Sequence, residues 1–201
     1  MARLRAVDRR DHPELEPVFQ RFEAYLGFVP NSALTMAHRP ALLEAFVNLT
    51  TTINAPGSVD TGLKALVGLM ASVAAGCQYC QAHLADKAVF QDLGVEAQVD
   101  AIWEFESSPL FSDRERAALR LARDAAQTPN AVADAHFDEL ARHFDEGDLV
   151  ELMAVIAIFG FLNRWNDSIA TDLEESPLKT ASAHLAAGGW QPGKHEGTSA
   201  Q

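Results

Sequence analysis

The chain has 201 residues, of which 48% are apolar, and it carries a formal net charge of −12. This length fits one domain with a real core, and the charge excludes a phosphate-backbone partner, which needs clustered Lys and Arg to displace counterions. The acidity is spread along the chain, so it reads as an ordinary solvated surface and not as an acidic recognition tail.

Basic residues in Met1 to Arg10 are followed by no apolar stretch, so no secretory signal is expected there. The longest apolar run, Leu152 to Leu162, is far short of the roughly 18–20 residues a bilayer crossing requires. A cytoplasmic chain with neither a membrane nor a nucleic acid as partner is the expectation.

Apolar residues recur at three- and four-residue steps through most of the sequence, and no sustained alternation marks a strand, so the fold class is all-α. A first amphipathic helix is predicted from about Pro13 to Leu26, with Leu15, Val18, Phe19 and Phe22 on one side, ended by Gly27 to Pro30. A short helix after Asn31 and one opening at Pro40 follow, and Ala55-Pro56-Gly57-Ser58 breaks the chain. Asp60 can cap a helix over about Thr61 to Gly76 that is apolar nearly all round and demands burial. The next helix is expected to start near Cys77 and to reach Gly94. Ser112-Asp113-Arg114-Glu115 has the form of a capping box, opening a helix that stops at Thr128-Pro129. Helices over about Val132 to Phe144, with Phe137 facing the core, and from Asp148 to Asn166 complete the pattern. These elements make one helical domain over residues 1–185, with its chemistry concentrated at about 60–170, and an irregular arm over 186–201 in which Trp190 can pin the chain to a neighbouring surface.

Chemistry concentrates in Cys77-Gln78-Tyr79-Cys80-Gln81-Ala82-His83, which holds the only two cysteines of the chain. On a helix, residues three apart lie about 5–6 Å from each other, within disulfide range, so the two sulfurs can alternate between dithiol and disulfide with little backbone motion. The first turn of a helix favours thiolate, and an imidazole nearby favours it further. His83 lies three residues after Cys80, on the same face, and suits the transfer of a thiol proton. Cys80 is read as the sulfur that attacks and Cys77 as the one that resolves. Two competing readings are a pair of buried cysteines packed as small hydrophobes, and a metal site with Cys77, Cys80 and His83 as ligands. The metal reading lacks the second Cys or His pair that a structural zinc site uses. Polar residues Asn163 to Asp167, just after an apolar helix, serve equally as a helix end or as neighbours of the site.

The segment Ser72 to His83 resembles the signature of the alkylhydroperoxidase D and carboxymuconolactone decarboxylase-like family, and further segments are similar to its peroxidase-related branch: Gly27 to Asn31, Arg39 to Glu44, Arg114 to Leu119, Asn163 to Asn166 and Gly189 to His195. The resemblance implies an all-helical, homo-oligomeric protein, built as dimer, trimer or hexamer. It implies reduction of hydroperoxides through Cys77, Cys80 and His83 with no cofactor and no metal, and a dithiol electron donor that restores the pair. It also admits a non-redox decarboxylase-like activity or a catalytically weak oligomeric binding protein. Two positions depart from the family pattern. The glutamate usual twelve residues before the first cysteine is Ala65 here, and the position four residues after the second cysteine is Leu84, with His83 adjacent.

Overall fold

The computed structural model describes residues 2–197, and its regular structure is entirely helical. The elements are α1 (Glu16–Leu26), α2 (Asn31–Met36), α3 (Pro40–Asn54), α4 (Thr61–Ala75), α5 (Gln78–Phe90), α6 (Glu96–Asp100), α7 (Asp113–Ala125), α8 (Asp134–Leu140), α9 (Glu146–Ile169) and α10 (Glu175–His184).

Helix α4 is the centre of the fold. Every residue from Gly62 to Ser72 is buried, as a helix apolar on all sides requires, and α5, α7 and α9 pack around it. Asp60 caps it, its carboxylate accepting the N–H groups of Gly62 at 2.8 Å and Leu63 at 3.2 Å. Gly68 lets α9 approach closely, since a Cβ there would stand 2.7 Å from a ring carbon of Phe159. A smaller layer of Leu15, Phe19, Met36, Leu43 and Val47 joins α1, α2 and α3, and Leu162 of α9 contacts both this layer and the main core.

The Ser112 capping box forms as the sequence predicts, and Pro40 opens α3. Elsewhere the structure departs from expectation. Cys77 is not the first residue of a helix but the N-cap of α5, with φ −85° and ψ 99°. Helix α8 is shorter than predicted and Phe137 is 42% exposed, because its turn of chain lies at the rim and Leu140 alone is buried from it. Helix α10 has no strong apolar stripe to announce it: only Pro177 and Ala181 are buried, and its place is set by Ser176 and Thr180, whose hydroxyls donate to Asp86 of α5 at 2.8 and 2.7 Å. The C-terminal arm, in contrast, is pinned through Trp190 as expected. Trp190 is 4% exposed and its indole N–H donates to the Gln78 carbonyl at 3.2 Å, while the Leu173 N–H donates to the His195 carbonyl at 2.8 Å. No helix among the described residues is long and apolar enough to cross a membrane.

One charge inside this core needs an explanation. Lys64 of α4 is 3% exposed, and a buried ammonium is tolerated only when its donors are used. Its Nζ bonds the carbonyls of Ile53 and Ala55 at 3.2 and 3.1 Å and reaches Glu151 of α9 at 2.7 Å. The hydrogen bond from Lys64 holds the Glu151 carboxyl down at about 2 from its ordinary 4.5; burial opposes this, and Ser58 assists it. A carboxyl depressed in the folded state adds stability above its unfolded pKa, and that stability fades as pH falls toward about 2. The variant Glu151→Gln is therefore expected to lose about 1–2 kcal/mol at neutral pH, a figure reduced for the solvent around Glu151, and to flatten the acid limb of the stability curve, as followed by denaturant unfolding at several pH values.

Candidate active site

Helix α4 ends on Gly76, which takes the left-handed conformation at φ 73° and turns the chain so that its own N–H and that of Cys77 return to Val73 and Ser72, both at 3.1 Å. This turn delivers Cys77 to the N-cap of α5, where the donors of a helix start are unsatisfied. The neighbouring Cys80 thiol holds the Cys77 thiol below its ordinary range; burial opposes that, and the nearby N–H groups of Cys80 and Tyr79 add to it. Burial pushes Cys80 well above its ordinary range, and Cys77 pushes it the same way.

Both cysteines are free, buried thiols. Cys77 is 0% and Cys80 2% exposed, and of the two only Cys80 lines a cavity of about 600 Å³. Apolar side chains dominate its wall, among them Phe22, Phe46, Phe159 and Leu162, and His83 and Asn166 also line it. Asn166 donates to the Cys80 sulfur at 3.6 Å, and its own carbonyl oxygen accepts the Thr171 hydroxyl at 2.8 Å, which fixes the amide. Cys80, read from the sequence as the attacking sulfur, is the one of the two that lines the cavity.

His83 also lines the cavity, but its hydrogen bond goes to a carboxylate and not to a sulfur. Its Nε2 lies 2.6 Å from Glu174, the residue that precedes α10, and its ring stacks on Tyr79 at 4.2 Å between centroids with Phe28 at its edge. Glu174 also accepts the Tyr79 hydroxyl at 2.8 Å and the backbone N–H of Asn31. Burial pushes the Glu174 carboxyl up, yet the charge and hydrogen bond of His83, with the N–H of Asn31, outweigh it and leave the group below its ordinary range. Tyr79 moves the other way: burial, then the Glu174 charge, raise it well above its ordinary value, so it remains a neutral donor. Ala65, the position of the family glutamate, is 2% exposed and does not line the cavity. The carboxylate at His83 comes from 91 residues further along the chain.

Among the described residues Cys77, Cys80 and His83 do not bring three ligand atoms together, so the metal reading of that triplet has no geometry behind it. A different convergence appears on the face of Cys77 away from the cavity, where its sulfur, a carboxylate oxygen of Asp167 and a ring nitrogen of His195 lie within 4.8 Å of one another.

The carboxymuconolactone decarboxylase family matches residues 40–124. The chain is 40% identical to the debrominase Bmp8 in its solved apo structure, a match covering 89% of this chain and 96% of that one with a TM-score of 0.83. The chain belongs to the alkylhydroperoxidase D and carboxymuconolactone decarboxylase-like family. A cysteine-to-alanine variant of Bmp8 is known in complex with 2,3,4-tribromopyrrole. A peroxidase-related protein from Ralstonia eutropha JMP134, a further member by fold, is 25% identical over 88% of this chain and 94% of its own, with a TM-score of 0.75. YnjA of Escherichia coli K12 is 33% identical over 111 residues, a match that spans 60% of its length. The all-helical family fold expected from the sequence is therefore the fold found.

Glu174 and His195 had no role in the sequence reading. No local pattern links Glu174 to His83, and the pairing follows only from the docking of α10 on α5; His195 stood in the closing family-like segment, whose burial the sequence did not reveal. Removing the Glu174 carboxylate strands His83, the Tyr79 hydroxyl and the Asn31 N–H. Glu174→Ala is expected to cost about 1–3 kcal/mol for each partner left dry, measured by denaturant unfolding at neutral pH, with Glu174→Gln milder because an amide still accepts.

Proposed function

We propose that the protein is a dithiol reductase in which Cys80 attacks an apolar electrophile held in the cavity and Cys77 then closes a disulfide with it. The single observation that carries this reading is a pair of free thiols one helical turn apart, of which Cys80 lines the apolar cavity and receives the Asn166 amide, while Cys77 at the N-cap of α5 does not line it. For an organic hydroperoxide, the Cys80 sulfur takes the terminal oxygen, the O–O bond breaks, and the alcohol leaves with a proton. Cys77 then displaces water from the Cys80 sulfenic acid, and an external dithiol reduces the disulfide. His83, held by Glu174 beside the cavity, is the group suited to supply the proton to the leaving oxygen. The cavity volume supports an organic peroxide over hydrogen peroxide itself.

A second substrate class has its own support. The likeness to a debrominase over nearly the whole chain and the apolar wall of the cavity favour a halogenated aromatic. Here a carbon–bromine bond is replaced by carbon–hydrogen, bromide and one proton leave, and the same two thiols become the disulfide, so the electron balance is that of peroxide reduction. A decarboxylase-like reaction has no use for the thiol pair, and a binding protein has none for its asymmetry.

One turnover with cumene hydroperoxide, or separately with a tribrominated pyrrole, is expected to remove two hydrogens from the peptide holding Cys77 and Cys80, as read by mass spectrometry, with alcohol or bromide released in equal amount. Cys80→Ser is expected to abolish product, and Cys77→Ser to leave a trapped Cys80 adduct with turnover lowered at least about a hundredfold. Unaltered turnover in the double variant would remove this reading.

A further inference from the structure

The cavity side of the thiol pair has a proton donor in His83, but the opposite side must dispose of a proton as well. When Cys80 attacks, it must shed its S–H proton, and Cys77, the thiol shifted down of the two, lies one turn away to take it. Cys77 must then lose that proton before it can act as a nucleophile, and it is out of contact with water in the resting structure.

His195 stands where that proton can go. It belongs to the C-terminal arm, yet it is 0% exposed. Its Nδ1 is committed as donor to the Thr171 carbonyl at 2.8 Å, so the lone pair lies on Nε2. That Nε2 makes no hydrogen bond and faces Asp167 at 3.7 Å, and a ring nitrogen of His195 lies within 4.8 Å of both an Asp167 oxygen and the Cys77 sulfur. A buried acceptor without a donor is a costly arrangement for a purely structural residue.

We propose, resting on the dithiol reading, that His195 is the proton acceptor for Cys77: Nε2 takes the proton that Cys80 hands to Cys77, and the imidazolium formed is stabilised by Asp167. The other groups facing it are Lys194, which pairs with Asp167 at 2.7 Å, and the Tyr79 ring at 5.9 Å. Burial lowers the imidazole below its ordinary range, with the Thr171 carbonyl and Asp167 opposing.

Dipyridyl disulfide tests this independently of the natural substrate. In the first step the Cys80 sulfur bonds one probe sulfur, the probe S–S bond breaks, one thiopyridone leaves, and the proton moves to Cys77. In the second step Cys77 gives its proton to His195 and displaces the second thiopyridone, forming the Cys77–Cys80 disulfide. The two releases are followed by stopped-flow absorbance. His195→Asn keeps a donor for Thr171 and deletes the Nε2 position. It is expected to leave the first phase within about twofold and to slow the second at least about tenfold near pH 6, the gap closing near pH 9 as hydroxide takes over. Asp167→Asn, at an accessible side chain, is expected to slow the second phase less, with the same pH trend, and decides the matter if His195→Asn does not fold. Equal slowing of both phases, a second phase unaffected in the folded His195→Asn or in Asp167→Asn, or stoichiometric zinc in the purified wild type would overturn the proposal. Two releases from the wild type with variants unaffected would overturn it alone; a single release from the wild type would remove the dithiol reading with it.

Discussion

Helix α4 leaves no face for water, and the rest of the architecture follows from covering it. Burial of every residue from Gly62 to Ser72 obliges α5, α7 and α9 to surround one rod, and the rod must end inside the protein. An α-helix that ends in the interior has carbonyls to satisfy, and the left-handed Gly76 does so by returning two N–H groups to the last turn. The same turn leaves the next residue outside any helix but at the start of one. Cys77 therefore lies at a helix start beside Cys80 as a consequence of how α4 is terminated, and its thiol is held down first by Cys80 and then by the nearby N–H groups.

That geometry separates two properties that a single reactive cysteine would have to combine. An exposed, strongly ionised thiolate is open to indiscriminate oxidation, whereas here the thiol shifted down is off the cavity and the thiol that lines the cavity is shifted up. Asn166 holds the Cys80 sulfur from one side and is itself fixed by Thr171, which keeps the atom pointed along the cavity wall.

How much of this the sequence announced can be read from particular residues. The all-round apolar pattern of α4, the Asp60 cap and the Ser112 capping box are local signals, and each appears where it was expected. Phe137 and α8 failed because an apolar residue at a helical spacing does not say whether that helix is covered. The Cys77, Cys80 and His83 spacing was visible, but that Cys77 sits at the N-cap and that only Cys80 of the two lines the cavity were not, since both depend on backbone angles at a helix start and on the packing around it. Glu174 and His195 are invisible for a plainer reason: their partners lie 91 and over 110 positions earlier, and only the docking of α10 and the arm brings them in.

The docked arm changes how the Ala65 departure is understood. Helix α4 is packed so tightly that a carboxylate at Ala65 would have to be desolvated among apolar neighbours, at a cost that only a close cation repays. Glu174 is buried as well, but its desolvation is offset because Tyr79, Asn31 and His83 all present donors to it. The acid–base partner of His83 has thus been supplied by a later segment while the core helix stayed apolar. The C-terminal stretch that follows then seals the far side of the thiol pair with His195, so the same stretch of chain that supplies the carboxylate at the cavity also excludes water from the sulfur that must not meet it.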